Sequence, residues 1–168
     1  MSNLIDSGER REFETGAVRD MSVGKGRCDL MPLDVVSDLV DFYFDDGSFD
    51  WKVSVILKYI NNYIYTGNVE SIYFALQTFI ENVMDGNLYS VILDVSVHYE
   101  DGCEKYGERN WERGIPMHSF VDSGVRHLLK YARGDCDEKH DRAFVWNMFA
   151  ILWTSKNKKD MIDLPFNK

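Results

Sequence analysis

The sequence predicts an all-α fold, a bundle of about six helices, and three observations support this prediction. Apolar residues recur at three- and four-residue steps over several long stretches, the spacing that places them on one face of a helix. Glycine and asparagine residues, which favour turns, separate these stretches. Hydrophobic residues make up 45% of the 168-residue chain and 14% are aromatic, so one domain can bury a substantial core.

Six helices are predicted in chain order, at about 33–44, 51–65, 69–84, 88–106, 117–132 and 137–155. Pro32 suits the first turn of the first helix. The run 88–97 is rich in β-branched residues, and a short hairpin is its alternative. Its continuity with the acidic residues that follow favours a helix. The last helix is apolar on nearly every side from Phe144 onward, so it is expected in the middle of the bundle.

An arm is expected ahead of the helices. Residues 1–20 are polar without a sustained period, which indicates a mobile or extended segment. In the stretch 24–27, glycines let the backbone approach a ligand closely, and Lys25 and Arg27 supply charge for phosphate. A solvated basic turn is the alternative. The glycine spacing matches neither a Walker loop nor a dinucleotide-binding fingerprint.

The net charge limits the classes of partner. At −9, the chain lacks the basic surface that a polymeric nucleic acid requires, so none is expected. A small phosphorylated ligand remains compatible, because a bound divalent cation offsets charge locally.

The cysteines and the hydropathy indicate the compartment. Three widely spaced cysteines without a CxxC pair favour neither a disulfide framework nor structural zinc, which fits a reducing cytosol. The N-terminus carries no secretory signal, and the longest apolar run, at 144–153, is too short to span a bilayer. We therefore expect a cytoplasmic protein (in the host cytoplasm if a phage encodes it) with no membrane partner.

Carboxylates and histidines on three of the predicted helices indicate a metal site. Glu100 and Glu104 lie one turn apart on a helix face, where they repel each other unless a cation or protons intervene. Two exposed acids are the alternative. Later helices carry further ligand-type residues, and bundles build carboxylate metal sites by facing such residues inward. These residues are Asp122, His127, Asp137 and His140.

Taken singly, these later residues have plainer interpretations. Asp122 and Arg126 have the spacing of a helix-surface ion pair. A lone histidine beside leucines, such as His127, is more often a hydrogen-bonded core residue than a metal ligand. Asn147 lies within the apolar last helix and needs a hydrogen-bond partner, because an unpaired buried amide costs about 1–3 kcal/mol.

Five short stretches, in this order, resemble a known family. They are TGAVRD at 15–20, GKGRCDLMP at 24–32, YEDGCEKYGERNW at 99–111, DSGVRH at 122–127 and HDRAFVWN at 140–147. They look like the dATP/dGTP diphosphohydrolase N-terminal-type domain of phages and bacteria, which is similar to the MazG-type all-α nucleoside triphosphate pyrophosphohydrolases. The resemblance covers about residues 13–33 and 96–154.

The resemblance implies a helical, usually oligomeric enzyme that cleaves a (deoxy)nucleoside triphosphate between its α and β phosphates. The products are the monophosphate and pyrophosphate, and Mg²⁺ or Mn²⁺ is held by acidic helices. It also implies four segments: an arm at 1–33, a helical insertion at 34–95, MazG-like catalytic helices at 96–155 and a peripheral tail at 156–168. The chain departs from the MazG pattern of EExxE and ExxD helices, because it offers only Glu100 and Glu104 on the first, and Asp137, His140 and Asp141 on the second.

Roles for individual residues follow from the resemblance. The expected catalytic residues are Glu100, Glu104, His127, Asp137 and His140. The expected ligands of Mg²⁺ or Mn²⁺ are Glu100, Glu104, Asp122, Asp137 and His140. Substrate binding is expected from Lys25, Arg27, Asp29, Lys105, Tyr106, Asn110, Trp111, Arg126 and Asn147. Among these, the cations neutralise the triphosphate, the two aromatic residues stack on the base, and Asn110 or Asn147 reads its edge.

The sequence therefore predicts a metal-dependent pyrophosphohydrolase that acts on dATP/dGTP-type substrates as a dimer or tetramer. A catalytically silent protein that binds or sequesters a nucleotide, for instance a phage factor, is the main alternative. A purely structural or regulatory helical oligomer is the third.

Overall fold

A computed structural model of the chain describes residues 8–44, 49–84 and 86–168, with the side chains of Phe49 and Trp51 left out. Within these ranges there are six α-helices and one small two-stranded sheet, which confirms the all-α prediction. The helices are α1 (Leu33–Tyr43), α2 (Phe49–Thr66), α3 (Val69–Val83), α4 (Leu88–Tyr106), α5 (Met117–Arg133) and α6 (His140–Asn157). Residues 1–7 of the predicted arm lie outside the described residues.

The run 88–97 is helical, as predicted. It forms the first half of α4, and the Asn87 side chain caps this helix by accepting a hydrogen bond from the Ser90 N–H at 3.1 Å. Val91 and Val95, one turn apart, are buried on its inner face. Burial against the bundle thus outweighs the local β propensity of the valines and isoleucine.

The arm is more ordered than predicted. Strands β1 (Arg10–Glu12) and β2 (Val18–Asp20) form an antiparallel hairpin in which Arg11 lies opposite Arg19. Ala17 next to β2 is fully buried, so the hairpin is part of the packed structure. A short 3₁₀ turn at Cys28–Leu30 follows and packs against α5.

Helix α6 lies in the middle of the bundle, as its sequence predicts. It packs against α3, α4 and α5, and its Phe144, Val145 and Ile151 side chains are fully buried. Helix α5 approaches it closely at Gly124, where an added Cβ would lie 2.6 Å from Met148 Cε. Further along α5, His127 lies next to His140 at the start of α6.

Helices α1, α2 and α3 pack against one another in sequence order, and α2 also contacts α5 while α3 contacts α6. Among the residues described, none of the helices combines the length and the apolar character that crossing a membrane requires.

Candidate functional site

The hairpin is held against the helices by Asn110, which lies in a 3₁₀ turn at Asn110–Arg113 after α4. Its amide oxygen accepts from the Val18 N–H and its amide nitrogen donates to the Val18 carbonyl, both at 2.8 Å. Thr15 adds a hydroxyl hydrogen bond to the Gly114 carbonyl. The structure therefore gives Asn110 a role in positioning β2. Its amide oxygen and nitrogen both bond the Val18 backbone, whereas the sequence analysis expects this amide to read the edge of the base.

The glycine-containing turn is held by Arg126 of α5. The guanidinium donates to the carbonyls of Lys25 and Gly26, each at 3.1 Å, and pairs with Asp122. Asp122 in turn accepts from the Cys28 N–H at 2.7 Å. These two residues therefore hold the turn in place, and the Lys25 side chain lines a cavity beside it.

This cavity, of about 770 Å³, lies between the hairpin, α4, α5 and the segment before α6. Aromatic side chains form part of its wall, namely Tyr99, Tyr106, Trp111 and Trp146. Its lining includes seven cationic residues (Arg11, Arg19, Lys25, Lys105, Arg109, Arg126 and Lys130) and five acidic ones (Asp20, Glu108, Asp122, Asp137 and Glu138). A chain of net charge −9 thus concentrates positive charge here, which is what a small anionic ligand requires.

A cluster of metal-ligand type lies at one end of the cavity. His127 of α5, Glu138 of the preceding bend and His140 at the start of α6 converge there. The two Nδ1 atoms are 3.0 Å apart, and Glu138 Oε1 lies 3.6 Å from that of His127 and 3.5 Å from that of His140. Three potential donor atoms therefore form a nearly equilateral triangle.

Asp137 orients this cluster. One carboxylate oxygen contacts His140 Nε2 at 2.7 Å and the other accepts from Lys130 at 2.9 Å. The hydrogen bond from Lys130, followed by that from His140, holds the pKa of Asp137 well below its usual range. Because a carboxylate only accepts, His140 carries its proton on Nε2 when neutral, which leaves the Nδ1 lone pair directed at the cluster.

Burial shifts the pKa of each of the other two members in the direction that disfavours its charged form. It is the largest cause of the strongly lowered pKa of His127, to which the positive charges of Arg126 and Arg19 also contribute. Burial likewise raises the pKa of Glu138. A neutral imidazole is the form that binds a metal ion, so burial favours the ligating state of His127. The raised pKa of Glu138 acts the other way, because a carboxylate must be deprotonated to bind a metal ion.

The structure brings most of the predicted site residues together. The residues that line the cavity are Lys25, Lys105, Tyr106, Asn110, Trp111, Asp122, Arg126, His127, Asp137 and Asn147, and His140 reaches it through the cluster. Asn147 donates to the Ala143 carbonyl at 2.7 Å and its oxygen lies 3.5 Å from Arg19, so the predicted need for partners is met. Lys105 pairs with Asp20 at 2.7 Å.

Four predicted residues lie elsewhere. Helix α4 turns Tyr99, Cys103 and Tyr106 towards the cavity, whereas Glu100 and Glu104 are exposed and absent from its lining. The metal role of these two acids stays a prediction that the cavity does not support. Arg27 and Asp29 bond each other at 2.6 Å, also outside the lining.

Sequence reasoning missed Glu138, Arg11 and Arg19. A helix beginning at 137 would have turned Glu138 away from His140, but α6 begins at His140, and the bend before it lets the two side chains face each other. The two arginines lie in a polar arm without a recognisable period. Only the pairing of β1 with β2 places them together.

The fold and cavity define an all-α protein with a histidine–carboxylate cluster in a cation-rich pocket. A sequence profile of the family described as dATP/dGTP diphosphohydrolase, N-terminal, matches residues 81–164, half of the chain. This range contains His127, Glu138 and His140. The chain therefore belongs to this family, whose name denotes nucleotide hydrolysis. Neither a curated protein nor a solved structure matches it significantly.

Proposed function

We propose that this protein is a metal-dependent (deoxy)nucleoside triphosphate pyrophosphohydrolase. It cleaves dATP/dGTP-type substrates to the monophosphate and pyrophosphate. The observation that carries the proposal is the convergence of His127, Glu138 and His140 within a cation-rich, partly aromatic cavity. The family match supports nucleotide hydrolysis, and the cavity volume of about 770 Å³ suits a small-molecule ligand.

The donor set fits a divalent cation. Bonds of about 2.0–2.2 Å to nitrogen and oxygen place neighbouring ligand atoms roughly 3–3.6 Å apart, and the three separations of 3.0, 3.5 and 3.6 Å agree with this. Two imidazoles with one carboxylate suit Mn²⁺ better than Mg²⁺, which prefers oxygen ligands alone. A cation bound there supplies a Lewis acid for phosphate oxygens and lowers the pKa of water.

The chain's own residues hold the two ends of the substrate. Lys25 lies in the lining and, with Lys130 near the cluster, supplies positive charge for the phosphates. Tyr99 and Trp111, whose ring centroids are 5.7 Å apart, provide faces for the base at the aromatic wall. Stacking of a base on such a ring contributes about 1–3 kcal/mol and is tolerant of base identity. The aromatic wall therefore supplies affinity without setting the base preference.

The test is incubation with each of the four dNTPs and Mg²⁺ or Mn²⁺, with the products separated by chromatography. We expect release of pyrophosphate and monophosphate by the wild type, faster with Mn²⁺. Glu138→Gln, which keeps the side-chain shape but removes the negative charge, is expected to lower the rate by orders of magnitude. The matched control is the double variant Glu100→Gln, Glu104→Gln, which is expected to keep activity.

Three results would contradict this assignment. Binding of intact nucleotide without cleavage supports a silent nucleotide-binding protein, and neither binding nor cleavage supports a structural role. Loss of activity in the double variant, with activity retained in Glu138→Gln, places the cation on the outer face of α4.

A further inference from the structure

Two arginines face each other in the hairpin. Arg11 of β1 and Arg19 of β2 are directly opposite in the register, and both line the cavity. Side chains at opposite positions of an antiparallel pair have Cβ atoms about 4.5–5.5 Å apart, and like charges placed there destabilise the pair. The hairpin thus carries an unfavourable charge arrangement on the side that faces the cavity.

Asp122 raises the pKa of both arginines from a distance, but among the described residues it forms an ion pair with neither. Arg11 donates to the Ser119 hydroxyl at 2.9 Å, and Arg19 donates to the Ser119 carbonyl at 3.1 Å and the Ser123 hydroxyl at 3.0 Å. All of these acceptors are uncharged. Within the described ranges, neither guanidinium forms an ion pair with a carboxylate, and the buried Nε of Arg11 has no hydrogen-bond partner there.

Without a bound anion, the positive charges of this pair are energetically unfavourable. Burial lowers the pKa of Arg19 to about 10, and the positive charge of Arg11 acts in the same direction. Aromatic rings cover part of the guanidinium, with Phe120 and Trp146 centroids 5.2 and 5.8 Å from its central carbon. These contacts hold the side chain in place, and among the described residues no carboxylate pairs directly with its charge.

We propose that Arg11 and Arg19 form an anion subsite that binds a pyrophosphate unit. Each guanidinium fork matches the oxygens of one phosphate group, so two forks side by side match two linked phosphates. In the proposed reaction this unit is the two terminal phosphates of the substrate, and after cleavage it is the pyrophosphate product. That assignment rests on the proposed function, whereas binding of free pyrophosphate does not.

The position of the subsite agrees with this role. Arg19 and His127 both line the same cavity, so the arginine pair and the metal-type cluster lie in one continuous site. Lys25 lines the same cavity and adds a third cation. The cluster and the two arginines thus face one cavity, as a ligand with linked phosphates requires.

The experiment measures the melting temperature of the full chain in EDTA, so that no divalent cation contributes. Pyrophosphate, inorganic phosphate and a deoxynucleoside monophosphate are titrated separately at constant ionic strength. For the wild type we expect a saturable upward shift with pyrophosphate, at a concentration at least tenfold lower than with the other two. A deoxynucleoside triphosphate is expected to produce a similar shift, because it carries the same terminal unit.

Arg11→Gln and Arg19→Gln are the test variants. Each is expected to weaken pyrophosphate binding at least tenfold, while the melting temperature without ligand stays equal to the wild type or rises, because the repulsion is relieved. Arg133→Gln is the matched control. It removes one positive charge from an exposed residue outside the cavity and is expected to leave the pyrophosphate shift unchanged.

The outcomes separate this proposal from the proposed function. Undiminished pyrophosphate shifts in both variants overturn the subsite, whatever the activity assay gives. A lowered melting temperature without ligand in both variants also overturns it, since the guanidiniums would then be structural. Equal affinity for phosphate and pyrophosphate reduces the site to a single-anion site and contradicts the inference. Arginine-dependent pyrophosphate binding by a chain that cleaves no nucleotide supports the subsite and contradicts the enzyme.

Discussion

Replacing Asn110 with alanine is expected to detach the hairpin from the helices. Asn110 is only 6% exposed, and its amide makes two hydrogen bonds of 2.8 Å to the backbone of Val18. The truncation removes both and leaves a half-buried peptide N–H and carbonyl without protein partners. Because β2 carries Arg19 into the cavity, the change links stability to anion binding.

The magnitude follows from these two bonds. Each contributes about 1 kcal/mol net, and a buried polar group left without a partner costs about 1–3 kcal/mol. Water can reach the half-buried Val18 peptide in part, so we expect the free energy of unfolding to fall by about 2–4 kcal/mol. Aspartate at the same position still accepts from the Val18 N–H but cannot donate, so Asn110→Asp is expected to cause an intermediate loss.

Urea denaturation measures this loss, and hydrogen exchange locates it. We expect the amides of residues 10–20 to exchange faster in Asn110→Ala. The exchange rates of the α6 amides are expected to change only as much as the loss of global stability requires. Asn157→Ala is the control. It removes one exposed hydrogen bond of 2.9 Å to the Trp153 carbonyl and is expected to stay within about 0.5 kcal/mol of the wild type. A loss below about 1 kcal/mol in Asn110→Ala, with unchanged exchange in the hairpin, would refute the anchoring argument.

Three further outcomes are expected. Burial, with a smaller effect of Arg142, lowers the pKa of His98 to about 4. The unfolded chain therefore binds a proton at His98 near pH 6.5, whereas the folded chain does so only near pH 4. The free energy of unfolding is expected to fall by up to about 3 kcal/mol between pH 6.5 and 4. In urea denaturation, His98→Gln should show a smaller decline over this range. Gly124→Ala should lower stability because its Cβ would meet Met148 Cε at 2.6 Å, whereas Gly102→Ala, with open space, should raise it by up to about 1 kcal/mol. Exposed apolar side chains along α1 and α4 favour a dimer or tetramer, which a 19.6 kDa monomer in micromolar light scattering would contradict.

Local patterns were enough to predict the helices. All six described helices were predicted with boundaries within about three residues, several of them from apolar spacing, because a helix face repeats over a distance that the sequence displays directly. The one ambiguous run, at 88–97, was resolved correctly by continuity with its neighbours. The short motifs also predicted the family from the sequence alone, and the family profile matches the region that contains most of them.

The candidate site was only partly predictable. Most residues expected at the site do line one cavity, but the roles of several follow from contacts across the chain. Asn110 bonds the backbone of Val18, 92 positions earlier, and Arg126 bonds backbone carbonyls about 100 positions earlier. No local sequence pattern indicates partners that are so far away along the chain.

The sequence by itself determined the helical class, the helix positions and the set of short motifs, because each depends on neighbours within a few turns. Tertiary structure decided which side of α4 faces the cavity, and so separated Glu100 and Glu104 from the cluster. It also joined Glu138 to His127 and placed Arg11 opposite Arg19. Those arrangements depend on the start of one helix and the register of one hairpin. Both are set by packing between distant segments, which no local period encodes.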